Sequence, residues 1–525
     1  MAFRIKCPYC FEEFNDNEVH FRVPTVNDPD TSVLPDWCES IEDLMDSPRM
    51  SDEKKNEIVK LYWEKNFYGP QSDDKYENFW NNFDGGTTEP VSHNHRYPPY
   101  RKRIIVPSRD RRFMKPYNKE RPDSLDSYFR HDRVGSNTEE TFVSEIKLFD
   151  DTECSERVCP HCHNPLPNLY GAYPVKFISI VGITHSGKTV YLSQFLKYFT
   201  DLLPEVGYQV PLFTPALTAF VANNRIAVKE KLPAGTPPKS FQQPVICDIS
   251  DEKQRYTLVL YDVAGELFDV ENYTAAEVSK FAEFIKNSDA IMMLIDPMQF
   301  SKLWEALPLE EKVLASPNTA INTLNHVLGE SLRPIPFAAC ISKCDEIYEV
   351  MKDEYVRVLK SDYQGIPRKD RPHIMQTIFN AEQINSYEEY LSDYVFQNNK
   401  AFDGLLATCF DDYSYFALSA LGCSVDKETS APIGPISPKR IMDPFYWIMY
   451  KLGLIGASDG VYNPNGHQCM NPDCQKRTTT KLKEPYSFES GFLFKKKTHI
   501  FTHYCSACHC YFNPESGDYW IDEQG

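Results

Sequence analysis

A glycine-rich loop between a predicted strand and a predicted helix most constrains what this chain can fold into. The stretch FISIVGITHSGKT, residues 177–189, is an apolar run that breaks at Gly182 and continues through Gly187, Lys188 and Thr189. Glycine tolerates positive φ, and the backbone N–H groups of such a loop surround phosphate oxygens. The lysine then reaches the β/γ-phosphates and the threonine hydroxyl binds Mg²⁺. The spacing therefore predicts a phosphate-binding loop.

The residues after this loop predict a helix whose N-terminus faces the phosphates. Apolar side chains recur at helical spacing at Leu192, Phe195, Leu196, Phe199, Leu202 and Leu203. A helix N-terminus attracts anions, and these flanking elements disfavour a chance match in a glycine loop. We therefore expect nucleotide binding, with contacts from Gly182, His185, Ser186, Gly187, Lys188, Thr189 and Val190.

The length and charge of the chain restrict its class. With 525 residues, of which 42% are hydrophobic, we expect about two to four domains. The net charge of −19 argues against a surface that binds nucleic acid or anionic membranes generally. Because no apolar run of signal-peptide or membrane-spanning length occurs, we expect a cytoplasmic protein without a membrane span.

Two Cys-Pro-x-Cys motifs predict a zinc site. A gap of two residues lets both thiolates of a pair point at one ion from a tight turn, and the repeated pair is typical of the two knuckles of a zinc ribbon. We expect residues 1–25 and 151–174 to form one split ribbon. Its predicted ligands are Cys7, Cys10, Cys159 and Cys162, with Cys154, His161 and His163 as alternative ligands or bystanders.

Residues 26–150 lie between the two motifs and change in charge along their length. Residues 28–57 are acidic, whereas residues 93–133 combine many arginines and lysines with tyrosine and phenylalanine. Such a basic and aromatic stretch is able to bind nucleic acid. We favour the alternative, a charged, partly helical or disordered insertion, because no folded nucleic-acid-binding motif accompanies the stretch.

A second apolar strand, YTLVLY at residues 256–261, ends in a motif of the form Asp-x-x-Gly. Here Asp262 is predicted to act on Mg²⁺ through water, and the N–H of Gly265 is predicted to contact the γ-phosphate. The next residue, Glu266, would face the attacking water. The motif therefore adds a metal-binding carboxylate to the phosphate loop.

The motif after a later strand indicates which base is bound. Apolar strands are predicted at 290–296 and 336–341, and the second runs into SKCD at residues 342–345. Guanine offers an N1–H and an amine that one carboxylate accepts together, whereas adenine has no such edge. Asp345 is the predicted carboxylate, and Lys343 is predicted to lie along the plane of the base.

A further strand is predicted at 414–418, and it precedes Ser419, Ala420 and Leu421. A backbone N–H of this tripeptide is predicted to meet the guanine O6. Four motifs thus follow one another at the ends of successive strands. Their order resembles that of the TRAFAC class of P-loop GTPases, and the resemblance covers residues 175–454.

Within that class, the opening CPYCFEEF and the VHFR shortly after it look like bacterial double-GTPase-type proteins with an N-terminal zinc ribbon. The resemblance implies an α/β fold with a mostly parallel six-stranded sheet, helices on both faces, and one antiparallel strand at 244–249. It implies a GTPase domain over 175–456 that binds GTP, GDP and Mg²⁺. It also implies a switch threonine, for which Thr236 is the candidate, and a companion GTPase as protein partner.

Three features depart from the family pattern. Ser342 stands where asparagine or threonine is usual, and we expect this change to weaken the bracing of the loop more than the choice of base. Glu266 stands where Ras-like proteins carry glutamine, so the group expected to orient water is a carboxylate. The chain between Lys188 and Asp262 is long, and we expect an extra helical piece over 216–231.

The chain after Asp345 contains a second insertion, at about 346–413, with helical periodicity and many aromatic and charged residues. It is either a lid or partner surface beside the base or ordinary packing, and we favour packing. An apolar helix at 445–454, with Pro444 in its first turn, is predicted to close the sheet rather than to dock a partner.

The last segment, residues 466–525, predicts a second zinc ribbon. Its cysteine pairs flank strand-like residues at 486–494 and 498–504, which is again the arrangement of a ribbon. A small module of this kind needs a metal because it has little core of its own. The predicted ligands are Cys469, Cys474, Cys505 and Cys508, with His467, His509 and Cys510 as alternatives.

Together these patterns predict a GTP-binding protein that hydrolyses GTP to GDP with Mg²⁺ and acts as a regulatory switch in a multi-protein bacterial system. The candidate catalytic residues are Lys188, Glu266 and Thr236, and the candidate Mg²⁺ ligands are Thr189, Asp262 and Thr236. Glu266 keeps a second interpretation open: a nucleotide-gated scaffold with little or no hydrolysis that binds protein or RNA partners through its zinc ribbons. A zinc-ribbon nucleic-acid factor is disfavoured by the net charge of −19.

Overall fold

The computed structural model of this chain divides into two compact units. The first comprises Met1–Lys176, Pro211–Leu217 and Lys239–Leu260, and the second comprises Phe177–Val210, Thr218–Pro238 and Tyr261–Gly525. The structure describes residues 3–23, 31–39, 41–66, 73–82, 103–134, 141–149, 151–183, 186–205, 224–233, 244–250, 255–264, 275–300, 316–351, 353–360, 381–426, 428–454, 470–471, 480–490, 497–505, 510–513 and 516–521.

Short strands make up small antiparallel sheets in the first unit. Their bounds are β1 (Arg4–Lys6), β2 (Glu13–Asn15), β3 (His20–Val23), β4 (Arg103–Ile105), β5 (Phe129–Arg133), β6 (Thr141–Lys147), β7 (Glu153–Cys154) and β8 (Arg157–Val158). Strands β1 and β2 form a hairpin, β3 lies between β4 and β8, and β6 lies between β5 and β7. All of these pairs are antiparallel.

Helices of the first unit come from the segment between the two cysteine pairs. They are α1 (Ile41–Asp46), α2 (Asp52–Asn66) and α3 (Asp74–Asn81). Helix α3 begins where the Asp73 side chain accepts a hydrogen bond from the N–H of Tyr76, and it buries Tyr76 and Trp80 on one face. The described part of residues 26–150 thus contains both helices and strands.

Several basic side chains of that segment pair with acidic side chains of the chain itself. Lys115 Nζ lies 2.6 Å from an Asp151 oxygen, and Arg130 Nη1 lies 3.4 Å from a Glu145 oxygen. These partners offset part of the positive charge that the sequence concentrates there.

A six-stranded sheet carries the apolar strands of the phosphate-loop region. Its strands are β9 (Val175–Gly182), β10 (Val245–Ser250), β11 (Arg255–Ala264), β12 (Ala290–Ile295), β13 (Phe337–Ile341) and β14 (Tyr413–Ala417), in the order β10-β11-β9-β12-β13-β14. Strands β9, β12, β13 and β14 pair in parallel, and β10 pairs antiparallel with β11. Strands β12 and β13 are buried along their whole length, which explains their continuous apolar sequences AIMMLI and FAACI.

Helices of the second unit are α4 (Lys188–Glu205), α5 (Ala275–Lys286), α6 (Pro317–Leu328), α7 (Asp353–Lys360), α8 (Ala381–Asn398), α9 (Lys400–Cys409) and α10 (Asp443–Lys451). The ends of α6 follow local capping chemistry. Helix α6 begins where Ser316 Oγ accepts from the N–H of Thr319 at 3.1 Å, with Pro317 in its first turn, and it ends at Gly329 with φ +51°.

The last strands of the chain form a separate antiparallel sheet. These are β15 (Thr480–Ser490), β16 (Lys497–Cys505), β17 (Cys510–Asn513) and β18 (Asp518–Ile521), in sequence order. Cys505 of β16 and Cys510 and Phe512 of β17 are fully buried and form a small cluster.

The chain is therefore a mixed α/β protein, and most of the predicted elements are present. The strands expected at 244–249, 290–296, 336–341 and 414–418 each lie within one residue of the observed bounds. The prediction of a helix over 216–231 is wrong for its described part, because residues 224–231 form turns and irregular chain. Residues 216–223 lie outside the described ranges.

Within the described ranges, every helix is too short or too polar to cross a lipid bilayer.

Candidate functional site

The loops that follow four neighbouring strands leave the six-stranded sheet at one edge. Gly182 lies opposite Leu294, and Ile341 lies opposite both Ile295 and Ala417. Because β9, β12, β13 and β14 run parallel, their carboxyl ends meet at this edge, where open α/β sheets bind ligands. The phosphate loop, the SKCD motif and the loop after β14 therefore emerge side by side.

The phosphate loop has the backbone that its glycines predict. Gly187 has φ +74°, a left-handed conformation that favours glycine, and helix α4 begins at the next residue, Lys188. The N–H of Ser186 donates to the carbonyl of Ile183 at 2.9 Å. His185 lies outside the described residues. A helix N-terminus that directly follows a glycine turn is suited to an anion.

The path of the Lys188 side chain requires glycine at position 182. A Cβ atom on Gly182 would lie 2.5 Å from Cβ and 2.6 Å from Cδ of Lys188, closer than non-bonded carbon atoms approach. The lysine folds back over the end of β9, and its Nζ lies 2.6 Å from Oδ1 of Asp262, with 7% and 10% of the two side chains exposed. The cation and the carboxylate predicted to serve phosphate and metal are thus in contact.

Ser186 has a buried hydroxyl that suits a ligand. The residue is 2% exposed, and its Oγ has no hydrogen-bond partner among the described residues. A buried hydroxyl without a partner is costly, and a bound phosphate would remove that cost. Thr189, predicted to bind Mg²⁺, is 8% exposed. Hydroxyl and carboxylate oxygens are the ligands that Mg²⁺ prefers, so the residues present fit a metal–phosphate group.

Ser342 and Cys344 hold the SKCD motif against the neighbouring strands. The N–H and the Oγ of Ser342 both donate to the carbonyl of Ile295, at 2.9 and 3.0 Å. The N–H of Cys344 donates to the carbonyl of Leu418 at 3.0 Å, and burial raises the pKa of the Cys344 thiol to about 12. Serine in place of the usual asparagine thus braces the motif to the end of β12.

Lys343 reaches across the phosphate loop to a carboxylate that the sequence reasoning missed. Its backbone is left-handed, with φ +49°, and its Cε lies 3.9 Å from where a Cβ on Gly187 would be. Its Nζ lies 2.7 Å from Oδ2 of Asp296, whose Oδ1 accepts from the N–H of Met298 at 2.9 Å. Asp296 directly follows an apolar strand, the same local signal that identified Asp262.

Asp345 offers its carboxylate to a ligand. The residue is half-buried, and within the described part of the chain its oxygens accept no hydrogen bond and form no ion pair. A carboxylate with both oxygens available can accept the guanine N1–H and amine together, and such charge-assisted pairs are strong. This geometry is compatible with the predicted role in base selection.

In the loop after β14, some backbone N–H groups already donate to other residues and others are available to a base. The N–H of Ser419 donates to the carbonyl of Lys439 at 2.9 Å, and the N–H of Lys439 returns a bond at 2.8 Å. The Ser419 Oγ accepts from the N–H of Gly422 at 2.8 Å. In the described residues, the N–H groups of Ala420 and Leu421 donate to no acceptor, so they are the groups left to meet a guanine O6.

The Gly422→Ala variant should lose stability and guanine nucleotide affinity together. Gly422 has φ +63°, and a Cβ there would collide with the backbone carbonyl of Ser437. Left-handed strain alone costs about 1–3 kcal/mol, and the collision adds to it. We expect a lower free energy of unfolding in urea and weaker GTP binding.

Gly404→Ala is the matched control for that variant. Gly404 lies inside helix α9, and apart from the backbone of the helix itself no described atom lies within 4 Å of the position that a Cβ would take there, so alanine should stabilise the protein by about 0.5–1 kcal/mol. Equal stability of the Gly422→Ala variant and the wild type would show that the loop is not held as described.

Residues 439–443 link helix α4, which follows the phosphate loop, with the loop after β14. No sequence pattern predicted this link. The hydroxyl of Tyr191, in the first turn of α4, donates to the carbonyl of Ile441 at 3.0 Å. Arg440 Nε lies 2.6 Å from an Asp443 oxygen, with both side chains 2% exposed. Because Lys439 pairs with the loop after β14, residues 439–443 contact both halves of the candidate nucleotide site.

The remaining predicted site residues lie outside the described ranges. These are Thr236, Gly265 and Glu266, so the switch threonine, the γ-phosphate contact and the water-facing carboxylate stay predictions. Val190 lies in helix α4 and is partly buried.

The first unit brings the four N-terminal cysteines together as one candidate metal centre. The ligand atoms of Cys7, Cys10, Cys159 and Cys162 all lie within 4.8 Å of one another. The Sγ atoms of Cys7 and Cys162 are 3.6 Å apart, and those of Cys10 and Cys159 are 3.7 Å apart. Tetrahedral zinc with Zn–S bonds of about 2.3 Å places its sulfurs about 3.8 Å apart. The cluster is therefore compatible with a zinc ion.

The two cysteine turns have the same local geometry. In each, the N–H two residues after the first cysteine points at its sulfur, at 3.4 Å from Tyr9 to Cys7 and at 3.4 Å from His161 to Cys159. In each, the fourth residue after that cysteine is left-handed and donates to its carbonyl, as shown by Phe11 with φ +61° and His163 with φ +53°. N–H groups directed at sulfur favour thiolates, the form that binds metal.

The second predicted zinc site falls mostly outside the described residues. Cys469, Cys474 and Cys508 are not described, whereas Cys505 is buried beside Cys510. The C-terminal site therefore stays a prediction.

Comparisons with known proteins agree with the motifs. Residues 176–377 match a family model described as Double-GTPase 2, and this range contains the phosphate loop, Asp262 and the SKCD motif. The resemblance to double-GTPase-type P-loop GTPases is thereby confirmed for this part of the chain. A comparison with curated proteins finds no match.

Solved structures share only a distant likeness with this chain. A GTP-binding protein from the hyperthermophilic archaeon Sulfolobus solfataricus, in complex with GDP, is 15% identical with a TM-score of 0.22, over 53% of this chain and 52% of that chain. A mutation variant of SsGBP is 13% identical with a TM-score of 0.23, over 53% and 55%. This chain thus spans about half the length of the structures it matches.

Proposed function

We propose that the part of this chain that matches the Double-GTPase 2 family belongs to a GTPase domain over residues 175–456, with an insertion at about 346–413, that binds GTP and hydrolyses it to GDP with Mg²⁺. The observation that carries the proposal is the convergence of three motifs at one edge of the sheet. A buried lysine–aspartate pair, a hydroxyl with no hydrogen-bond partner among the described residues and an available carboxylate lie at this edge. Such a set suits a nucleotide triphosphate with a guanine base.

Each group has a defined task in this proposal. The Lys188 ammonium, the Ser186 hydroxyl and the loop N–H groups neutralise the phosphates, and Asp345 selects the base with Lys343 along its plane. Thr189 and Asp262 hold Mg²⁺, joined by Thr236 when the switch closes. The metal would neutralise charge that develops on the phosphate oxygens.

The ion pairs of the described structure have a consequence for binding. Lys188 contacts Asp262 at 2.6 Å and Lys343 contacts Asp296 at 2.7 Å. A triphosphate with Mg²⁺ offers Lys188 an anion and Asp262 a cation, while Lys343 keeps its contact with Asp296 beside the base. Ligand binding therefore exchanges one set of charge contacts for another rather than burying new unpaired charge.

Single-turnover hydrolysis tests the enzymatic part of the proposal. With the full chain in excess over GTP, phosphate release should require Mg²⁺ and stop when EDTA removes it. The Glu266→Ala variant should bind GTP as the wild type does and release phosphate at least about tenfold more slowly, since the carboxylate is proposed to orient water. A Glu266→Ala rate equal to the wild-type rate would remove Glu266 from the catalytic set.

The second candidate function is a nucleotide-gated scaffold with little or no hydrolysis. The observation that favours it is the carboxylate of Glu266 where Ras-like proteins use glutamine. The protein is measured alone and together with partners that bind it only in the GTP-loaded form. If phosphate release stays at the uncatalysed rate in both cases, the protein is a scaffold and not an enzyme. A pull-down that compares the proteins captured by GTP-loaded and by GDP-loaded protein identifies those partners.

The ends of the chain are proposed to be zinc modules that serve the switch. Residues 1–25 and 151–174 would form a split ribbon around the four-cysteine cluster, and residues 466–525 would form the second ribbon. In this proposal the protein acts in the cytoplasm as a regulatory switch of a multi-protein bacterial system, with a companion GTPase as partner. Residues 93–133 would act as a charged part of the insertion rather than as a nucleic-acid site.

A further inference from the structure

Helix α3, which belongs to the segment between the two cysteine pairs, lies against both cysteine turns. The Tyr9 ring, between Cys7 and Cys10, packs edge-on against Phe79 and Trp80, with ring centroids 6.2 Å apart in both cases. On the other turn, Lys75 Nζ donates to the carbonyl of Pro160 at 2.8 Å. One helix therefore contacts the chain on both sides of the four-sulfur cluster.

A chain of buried hydrogen bonds connects this helix to one of the sulfurs. Trp80 Nε1 donates to Asn164 Oδ1 at 2.9 Å, and Asn164 Nδ2 donates to Cys162 Sγ at 3.3 Å. Trp80 is 2% exposed and Asn164 is fully buried. An indole N–H can only donate, so it requires the amide oxygen of Asn164 and leaves the amide nitrogen to face the sulfur. The tryptophan thus sets the orientation of the donor to Cys162.

The start of α3 is tied to the same cysteine turn. Asp73, which caps the helix, lies 2.7 Å from Nδ1 of His163 and 3.0 Å from Nη2 of Arg22. The same Arg22 Nη2 also donates to the carbonyl of His163 at 2.8 Å. Arg22 and Asp73 are almost completely buried, so this pair is screened little by water. The helix is held at both ends to residues next to Cys162.

We infer that helix α3 is the outer wall of the N-terminal zinc site, with Trp80 and Asn164 as positioning residues for the Cys162 thiolate. The inference rests on the proposed occupation of the four-cysteine cluster by zinc. Groups that hydrogen-bond metal ligands orient them and raise metal affinity, and their loss costs about 10–100-fold. Because linkage is reciprocal, zinc in turn stabilises the docked position of α3.

The arrangement also shows which part of the chain covers the surface beside the two cysteine turns. The surface beside Tyr9 and Pro160 is covered by the chain's own helix α3. A partner that needs this surface would have to displace residues 73–82. Residues 73–82 of the insertion are therefore a structural part of the metal site.

Hydrogen exchange of the full-length protein tests the coupling without any substitution. Amides in residues 73–82 should lose protection when a chelator removes zinc under reducing conditions, together with residues 159–164. Amides of helix α9 should not change. If residues 73–82 keep their protection while residues 159–164 open, helix α3 is not coupled to the metal and the inference is overturned.

Zinc release tests the positioning role. The Trp80→Phe variant keeps an aromatic ring but lacks the N–H, so zinc should transfer to a chromophoric chelator at least about tenfold faster than from wild type. Trp37→Phe is the matched control, because Trp37 is 38% exposed and packs on Arg49 instead. Release from Trp80→Phe at the wild-type rate would overturn the inference.

Metal analysis separates this result from the proposed zinc site itself. Cys159→Ser should remove one zinc equivalent from the purified protein. If it removes none, the cluster holds no zinc and both statements fail. If it removes one while Trp80→Phe and the exchange pattern match wild type, only the role of α3 fails. GTP binding is a separate measurement that neither outcome decides.

Discussion

The Lys188→Ala variant should lose tight GTP binding, with the Kd raised at least about 100-fold. Hydrogen bonds to charged groups contribute about 1.5–3 kcal/mol each, and each 1.4 kcal/mol is tenfold in affinity. The ammonium is already held at the end of β9, 2.6 Å from Asp262, so the loss includes a positioned cation rather than a mobile one. Titration with a fluorescent GTP analogue measures the change.

Lys197→Ala is the control for that variant, because Lys197 is exposed on the same helix α4 and should leave the Kd unchanged. A thermal melt shows whether Lys188→Ala is folded, since the substitution also removes the ion pair with Asp262. GTP binding to folded Lys188→Ala with the wild-type Kd would mean that the loop is not the phosphate site.

The Asp345→Asn variant should exchange guanine for xanthine specificity. Asparagine can donate a hydrogen bond where aspartate can only accept, and xanthine carries an oxygen where guanine carries its amine. Loss of two charge-assisted bonds predicts a GTP Kd at least about 100-fold higher, with a lower Kd for xanthosine triphosphate. Competition titrations with both nucleotides measure the exchange.

Glu346→Gln provides the neighbouring control, because Glu346 is exposed beside Asp345 and should keep the wild-type preference. If Asp345→Asn weakened GTP and xanthosine triphosphate equally, the residue would support the loop rather than read the base.

Most of the sheet and of the candidate site that could be predicted from the sequence was predicted from short local motifs. The runs AIMMLI and FAACI identify β12 and β13 because strands buried on both faces need continuous apolar residues. Gly182, Lys188 and Asp345 follow strands at spacings that a phosphate or base contact requires. The pairing of Cys10 with Cys159 across the long intervening segment was also predictable, because the same short motif occurs twice.

Contacts between residues that are distant in the sequence and belong to no motif could not be predicted from the sequence. Tyr191 looks like an ordinary aromatic residue of an amphipathic helix, and only the fold brings its hydroxyl to Ile441. Asp296 had the correct local signal, a carboxylate after an apolar strand, but its partner Lys343 was assigned to the base alone. The turns at 224–231 show the opposite error, since the length of the chain between Lys188 and Asp262 suggested a helix there that the described residues do not form.

Nucleotide titration in the presence of Mg²⁺ tests whether this edge of the sheet binds guanine nucleotides. The full-length wild-type protein should bind GTP at least about 100-fold more tightly than ATP, because adenine offers Asp345 no pair of donors. GDP should compete with GTP for the same site. Equal affinity for ATP and GTP, or no measurable binding of either, would contradict the account of a guanine nucleotide site at this edge of the sheet.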